Sequence, residues 1–247
     1  VSAGRRVFAV VPAAGRGARF DPEARGTPKQ YAPLAGATVI EWSLRSLLRE
    51  PRIETVVVVV ASDDTRWPEI AAAIGRGGSE GAAAKLMSAI GGATRQESVL
   101  SGLKALRRVA AAEDWVLVHD AARPCLPAAD VHALIEALTS GAGGAVLASP
   151  IVDTVKRESG GTVSETVDRT GLWRALTPQV FALAELEHAL AEAASQGLTV
   201  TDEAQAMERL GARPRLVAGS PFNIKVTRAE DLAIAAQILE ITKETIR

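Results

Sequence analysis

Thr55-Val-Val-Val-Val-Val-Ala61 places five valines in succession. β-Branched side chains lose rotamer freedom in a helix and pack well on a pleated surface, so this run is the strongest strand signal in the chain. Upstream, Val39 to Arg49 carries apolar residues at helical spacing, and Val7 to Val11 is a second apolar run, closed by Pro12-Ala-Ala-Gly15. A short apolar run closed by small residues reads as a buried parallel strand. Downstream, the pattern predicts a short helix over Trp67–Ile74, a weaker strand over Lys85–Ile90 and a helix over Gln96–Val109, with Val99, Leu103 and Leu106 on one face. A strand over Trp115–His119, a helix over Val131–Leu138 and a strand over Gly144–Ser149 follow. Strand then helix, repeated four times, implies an α/β fold: a mostly parallel sheet with helices on both faces. In such sheets ligands bind beyond the C-terminal strand ends, which singles out the loops after Val11, Ile90 and His119.

The alternation breaks at Ile151. Thr154–Arg157, Gly160-Gly161 and Val163–Val167 read as a β-hairpin with a glycine turn. Its strands are short and polar, so they add little to a core and are expected to project and pair with something, a second subunit being a plausible partner. Helices resume over Leu183–Gln196 and Asp202–Leu210, then a strand over Arg215–Ala218 and a last helix over Ala229–Glu244. No repeat or low-complexity linker interrupts the 247 residues, so 1–247 is expected to form one domain with a β-arm at about 151–172.

Lysine plus arginine total 28 and aspartate plus glutamate 29, a net charge of -1. That balance gives no support for a nucleic-acid or membrane-surface role, so any basic site must be local. Cys125 is the only cysteine, which excludes an intrachain disulfide and a cysteine-based zinc site. Val1 to Arg6 has no signal-peptide pattern, and the apolar runs are too short to span a bilayer. The expectation is a soluble, cytoplasmic protein.

Pro12-Ala-Ala-Gly-Arg-Gly-Ala-Arg19 is the first candidate site. Small residues let backbone N–H groups approach phosphate oxygens. It is not a P-loop, because no Gly-Lys-Ser/Thr follows, and Phe20 stands where a dinucleotide fingerprint needs its third glycine. What remains is a long loop carrying Arg16, Arg19 and Lys29, which is either a phosphate site or a turn with solvated cations. The second candidate is His119-Asp-Ala-Ala-Arg-Pro124. Asp120 at a strand end is a natural Mg²⁺ ligand beside a polyphosphate, and Arg123 suits a bidentate phosphate contact. The alternative is an Asp–Arg pair capping the next helix. In Gly91-Gly92-Ala-Thr-Arg-Gln-Glu-Ser98, Ser98 either contacts a base or phosphate or lies in a first helical turn. Late in the chain stand Asp168-Arg169, Thr177-Pro-Gln179, Thr201-Asp202-Glu203 and Asn223-Ile-Lys225. Thr201 or Asp202 also suits a helix N-cap, and Lys225 alone reads as a solvated lysine. His119 reads as a satisfied strand histidine, His132 and His188 as structural, and the four tryptophans as core or interface.

Taken in order, Pro12-Ala-Ala-Gly15 with Arg19, Pro28-Lys-Gln-Tyr31, Gly91-Gly92, His119 to Pro124, Asp153-Thr154, Val167-Asp-Arg169, Thr177-Pro-Gln179, Thr201-Asp-Glu203 and Asn223-Ile-Lys-Val-Thr227 resemble the 2-C-methyl-D-erythritol 4-phosphate cytidylyltransferases. The resemblance implies a Rossmann-like nucleotidyltransferase fold, CTP and 2-C-methyl-D-erythritol 4-phosphate as substrates, Mg²⁺ or another divalent cation as cofactor, and a homodimer held partly by the β-arm. It implies a nucleotide site of Pro12, Ala13, Ala14, Gly15, Gly92, Ser98, Asp120 and Ala121. It also implies catalytic cations at Arg19, Lys29 and Lys225, and Asp120 serving the metal. Arg123, Thr154, Arg169, Thr201 and Lys225 would surround the methylerythritol phosphate, with Thr154 and Arg169 from the partner subunit. The stretches Asp21–Arg25 and Gly219–Phe222 depart from the family pattern.

The implied chemistry asks the protein chiefly for charge neutralisation. Rival readings are a ribitol 5-phosphate cytidylyltransferase and a non-catalytic nucleotide-binding or scaffold protein. A sugar-nucleotide glycosyltransferase is disfavoured, because no Asp-X-Asp motif stands at a strand end.

Overall fold

The computed structural model describes residues 4–15, 20, 27–77, 81–138 and 143–242. In chain order its elements are β1 (Val7–Pro12), β2 (Pro33–Leu34), β3 (Ala37–Thr38), α1 (Val39–Arg49), β4 (Ile53–Val60), α2 (Trp67–Gly77), β5 (Leu86–Ile90), α3 (Arg95–Leu106), β6 (Trp115–Val118), α4 (Ala128–Glu136), β7 (Ala145–Pro150), β8 (Val155–Ser159), β9 (Thr162–Val167), β10 (Trp173–Ala182), α5 (Leu183–Ser195), α6 (Glu203–Arg209), β11 (Arg215–Ala218) and α7 (Asp231–Ile241).

Seven strands form one sheet in the order β11-β7-β10-β6-β1-β4-β5. β1 pairs in parallel with β4 and β6, β4 with β5, and β11 with β7. β10 alone is antiparallel, against both β6 and β7. The valine run shows why the sheet is buried on both sides. Val56, Val58 and Val60 join a core with Ile40, Leu44 and Leu47 of α1, Trp67 of α2 and Leu134 of α4. Val57 and Val59 point the other way, into a core with Val99 and Leu103 of α3, Leu190 of α5 and Met207 of α6. The side-chain period of two thus feeds two helical layers from one strand. Burying each valine or leucine contributes about 1.5–3 kcal/mol, so the sheet is the main source of stability. Gly102 lets α3 lie close on it, since a Cβ there would come within 2.5 Å of Val10 Cγ1.

Local signals start α1, α3 and α6 within a residue of where the sequence places them, whereas α4 begins at Ala128, three residues before the expected Val131, and α7 at Asp231, two after Ala229. Thr38 and Glu41 make a capping box at α1, and Thr94 and Glu97 another at α3. Asp202, not Thr201, is the N-cap of α6 and accepts from the Gln205 N–H. α3 ends at Leu106 rather than Val109. The hairpin β8–β9 forms its own two-stranded sheet, and nearly all its residues are exposed. The Ile151 N–H donates to the Leu172 carbonyl at 3.1 Å and closes its base.

β10 is the element the sequence pattern does not reveal. Pro178 lies inside it, and a proline ordinarily demotes a run to an edge strand. The structure accommodates it with an irregularity between Ala175 and Gln179 on the β7 side, while pairing to β6 begins only at Gln179. Among the described residues no helix is long and apolar enough to cross a membrane.

Candidate active site

The loops that follow β1, β5 and β6 meet at the C-terminal rim of the sheet and line a cleft of about 330 Å³. Pro12 to Gly15 come from the first, Gly92 to Arg95 and Ser98 from the second, and Asp120 to Ala122 from the third. Lys29 and Gln30 form another wall, with Phe20, Lys225 and Thr227 completing it. Small residues bring these loops together. A Cβ on Gly91 would lie 2.6 Å from Ala14 Cβ and 2.7 Å from Ser98 Oγ, so only glycine allows the β5–α3 turn to press against the β1 loop. The Ser98 hydroxyl, in the first turn of α3, donates to the Thr94 carbonyl at 2.9 Å.

Lys29 opens a 3₁₀ turn, Lys29–Tyr31, that joins several parts of the rim. Lys29 Nζ donates to the Val226 carbonyl at 3.2 Å. Gln30 Nε2 donates to the carbonyls of Ala13 and Gly15, at 2.7 and 3.1 Å. The Tyr31 hydroxyl donates to Asp64 Oδ2 at 2.5 Å, and Asp64 in turn caps the start of α2 through Trp67 N–H. Burial, then that carboxylate, raise the Tyr31 phenol well above its usual range.

Asp120 is the centre of the site's charge. It is the one carboxylate lining the cleft among the described residues. Its Oδ2 lies 2.8 Å from Lys225 Nζ and 3.5 Å from Arg123 Nε, and its Oδ1 accepts from Arg95 Nε at 3.1 Å. Arg95 is held in turn by Glu203, whose two oxygens take its Nη1 and Nη2 at 2.6 and 3.0 Å. Burial by itself pushes the Asp120 carboxyl up, but the fields of Arg95, Lys225 and Arg123 outweigh it and hold it well below the usual carboxylate range. Burial also works against the Arg95 charge, and the carboxylates of Glu203 and Asp120 overcome it and raise the guanidinium. Three cations on two carboxylates leave this corner electropositive, which suits a polyanion.

The scaffold behind Asp120 explains several buried polar residues. Thr177 Oγ1 accepts from the Asp120 N–H at 3.1 Å and lies 3.0 Å from His119 Nδ1. His119 is fully buried, and burial lowers it to about 4, so it is a neutral, satisfied strand-end histidine. Ser43 and Ser46 sit on the buried face of α1 because their hydroxyls donate to the carbonyls of Ala121 and Leu126. Asn223 donates to the Thr177 carbonyl at 2.8 Å, and the Val226 N–H to the Ala122 carbonyl at 2.8 Å. These bonds deliver Lys225 to Asp120, so Lys225 is not the solvated lysine that its local sequence implies.

The other expected residues are placed as follows. Arg16 and Arg19 lie outside the described residues, as does Asp21–Arg25. Arg123 turns behind Asp120 and donates to the Asn223 carbonyl at 2.7 Å. It does not cap α4, whose N-cap is Pro127. Thr154 precedes β8 and is exposed, and exposed Arg169 donates to the Val152 carbonyl at the arm's base. Thr201 is exposed and bonds Gln205 Oε1 through its N–H at 2.7 Å. Of the expected acceptor residues, only Lys225 lines the cleft of its own chain. Sequence reasoning missed Arg95 and Gln30. The available signal for Arg95 was its position as the first residue of a helix that opens on a rim loop.

The model of the 2-C-methyl-D-erythritol 4-phosphate cytidylyltransferase family matches residues 7–241. A relative from Tolumonas auensis bearing that name is 47% identical over 94% of this chain and 96% of its own length. One from Stenotrophomonas maltophilia (strain R551-3) is 48% identical over 92% of this chain and 93% of its own. A crystal structure described as 4-diphosphocytidyl-2C-methyl-D-erythritol synthase superposes with a TM-score of 0.80 at 38% identity, covering 96% of this chain and 100% of that one. The Francisella tularensis 2-C-methyl-D-erythritol 4-phosphate cytidylyltransferase does so with a TM-score of 0.76 at 31% identity, over 95% and 100%. The chain therefore belongs to the 2-C-methyl-D-erythritol 4-phosphate cytidylyltransferase family.

Proposed function

We propose that this protein transfers the cytidylyl group of CTP to 2-C-methyl-D-erythritol 4-phosphate, giving 4-diphosphocytidyl-2-C-methyl-D-erythritol and pyrophosphate, in the cytoplasm. Family membership supports the substrates. The observation that carries the site assignment is the rim cleft, where Lys225 and Arg95 bond a single carboxylate, Asp120, and Lys29 lines the same cleft. The unit that does this is one domain, 1–247, with its arm.

Pro12, Ala13, Ala14, Gly15, Gly92, Ser98, Asp120 and Ala121 are assigned to the nucleotide, and Arg19, Lys29 and Lys225 are assigned as the cations for its triphosphate. The acceptor is a phosphate monoester with a second pKa of about 6, so it is largely ionised at neutral pH and needs no general base. One of its oxygens attacks the α-phosphorus of CTP in line, the new P–O bond forms as the α–β bridging bond breaks, and pyrophosphate departs with the electron pair. Two anions must meet, so the protein's task is to neutralise the charge shared by attacking and leaving oxygens.

The donor set fits a divalent cation that arrives with the triphosphate. One carboxylate, Asp120, faces the cleft, and the described residues hold no cluster of three or more acidic, histidine or cysteine side chains. Mg²⁺ suits one carboxylate plus phosphate oxygens. When bound, it would neutralise triphosphate charge and draw electron density from the reacting phosphoryl group. Asp120 also orients Lys225 and Arg95.

Thr154 and Arg169 are proposed to complete the acceptor site of a partner subunit in a homodimer gripped by the arm, with Arg123 and Thr201 on the home side. Mixing two inactive variants tests this. A dimer of Lys29→Ala with Arg169→Ala has one site with both residues intact, so the mixture regains activity that neither variant has alone. No recovery after subunit exchange would place Arg169 in its own chain's site. The reaction itself is tested by pyrophosphate release from CTP and Mg²⁺, with 2-C-methyl-D-erythritol 4-phosphate and ribitol 5-phosphate side by side. Turnover with the first alone is expected. Turnover with ribitol 5-phosphate alone would keep the mechanism and replace the acceptor.

A further inference from the structure

Gln30 is a buried amide, 5% exposed, between a cationic residue and the small-residue loop. Its Nε2 reaches two carbonyls of that loop at once, Ala13 at 2.7 Å and Gly15 at 3.1 Å. In a planar trans peptide the N–H points away from the carbonyl, so drawing the Ala13 carbonyl back to Gln30 turns the Ala14 N–H the other way. Ala13 is also tied to the sheet by its own N–H, which donates to the Val59 carbonyl at 2.7 Å. The loop's foot is therefore fixed to β4 and its carbonyls to Gln30.

Gln30 shares its 3₁₀ turn with Lys29, and on its other side the Tyr31 ring is packed into the core beside α1, with its hydroxyl on Asp64 at the edge of that packing. That packing seats the turn, and among the described residues the side chain that hydrogen-bonds it to the Pro12–Gly15 loop is Gln30. We infer that Gln30 is a positioning residue for nucleotide binding, which holds the Pro12–Gly15 loop and Lys29 at a fixed separation so that loop amides and lysine engage the same triphosphate together. It needs a side chain of this length with two N–H donors on one nitrogen, which only glutamine supplies.

This rests on the proposed CTP site. Gln30→Glu keeps shape and removes donors, setting a carboxylate against two buried carbonyls. Gln30→Ala leaves both carbonyls unpaired. Tyr31→Phe is the control: it loses the Asp64 bond at the far end of the same turn. CTP binding with Mg²⁺ is measured by calorimetry without acceptor, and KM for each substrate from pyrophosphate release. Two misdirected buried hydrogen bonds predict a loss of about tenfold or more in CTP affinity for Gln30→Glu. KM for the acceptor should move less than about twofold, and Tyr31→Phe should keep CTP affinity while losing thermal stability. Unchanged CTP affinity in Gln30→Glu, or an equal loss in Tyr31→Phe, would overturn the inference. If wild-type protein binds CTP but does not turn over the methylerythritol phosphate, the acceptor assignment fails while this inference still stands on the binding arm.

Discussion

Two arginine–glutamate pairs in this chain share a chemistry and little else. Arg95 meets Glu203 at the cleft with the glutamate side chain 1% exposed. Arg157 meets Glu165 across the β8–β9 hairpin with both side chains more than half exposed. In the cleft, the pair fixes the position of a third charged group, Asp120, and through it Lys225. On the arm, water screens the charges and the pair fixes nothing beyond its own hairpin. The site is preorganised around buried carboxylates, whereas the arm is a polar surface whose proposed role lies in what it grips.

The sharpest way to break this contrast is at the cleft. Lys29→Ala should cut turnover by about 10³-fold, with the thermal midpoint little changed, because removing one preorganised donor at the reacting phosphates costs that order. Near-normal turnover would remove Lys29 from the mechanism. Glu203→Ala should destabilise the fold by about 3 kcal/mol, at the low end for breaking a buried pair because Arg95 keeps Asp120. Denaturant titration measures that loss, and a change below about 1 kcal/mol would make the pair equivalent to the exposed one.

A smaller effect separates the two regions by pH. His119 is held neutral, with its pKa lowered to about 4, whereas an unfolded histidine titrates near 6.5. The unfolded chain takes up the proton first, so this group's contribution is complete above about pH 6.5 and is lost as pH falls toward 4. The loss is roughly 2–3 kcal/mol, and His119→Gln should flatten that slope in denaturation curves at pH 7 and pH 4.5. The smallest effect belongs to the arm: Arg157→Ala should change stability by less than about 1 kcal/mol.

The layered sheet was legible in the sequence because its signals are local. Five adjacent valines define β4, and Thr38 and Thr94 stand three residues before the glutamates that complete their capping boxes. Lys29, Asp120 and Lys225 were legible through an ordered resemblance spread over nearly the whole chain. What could not be read was long-range. Arg95 finds Asp120 and Glu203, 25 and 108 residues away, and no spacing rule connects them. Gln30 is an ordinary polar residue until the β1 loop folds against it. β10 was hidden by Pro178, which the ladder accommodates only by slipping register.

The reversed direction of β10 also settles where the arm can stand. β6 and β7 both oppose β10, so they run the same way, and β7 ends at the rim that carries the cleft. A parallel strand next in sequence would have sent the chain back across the sheet to its opposite end. Because β10 runs downward instead, the chain leaves and re-enters at one level, and the whole excursion between them rises from the reactive edge. The arm is rooted like a handle on the lip of a cup, and whatever it holds is held beside the opening.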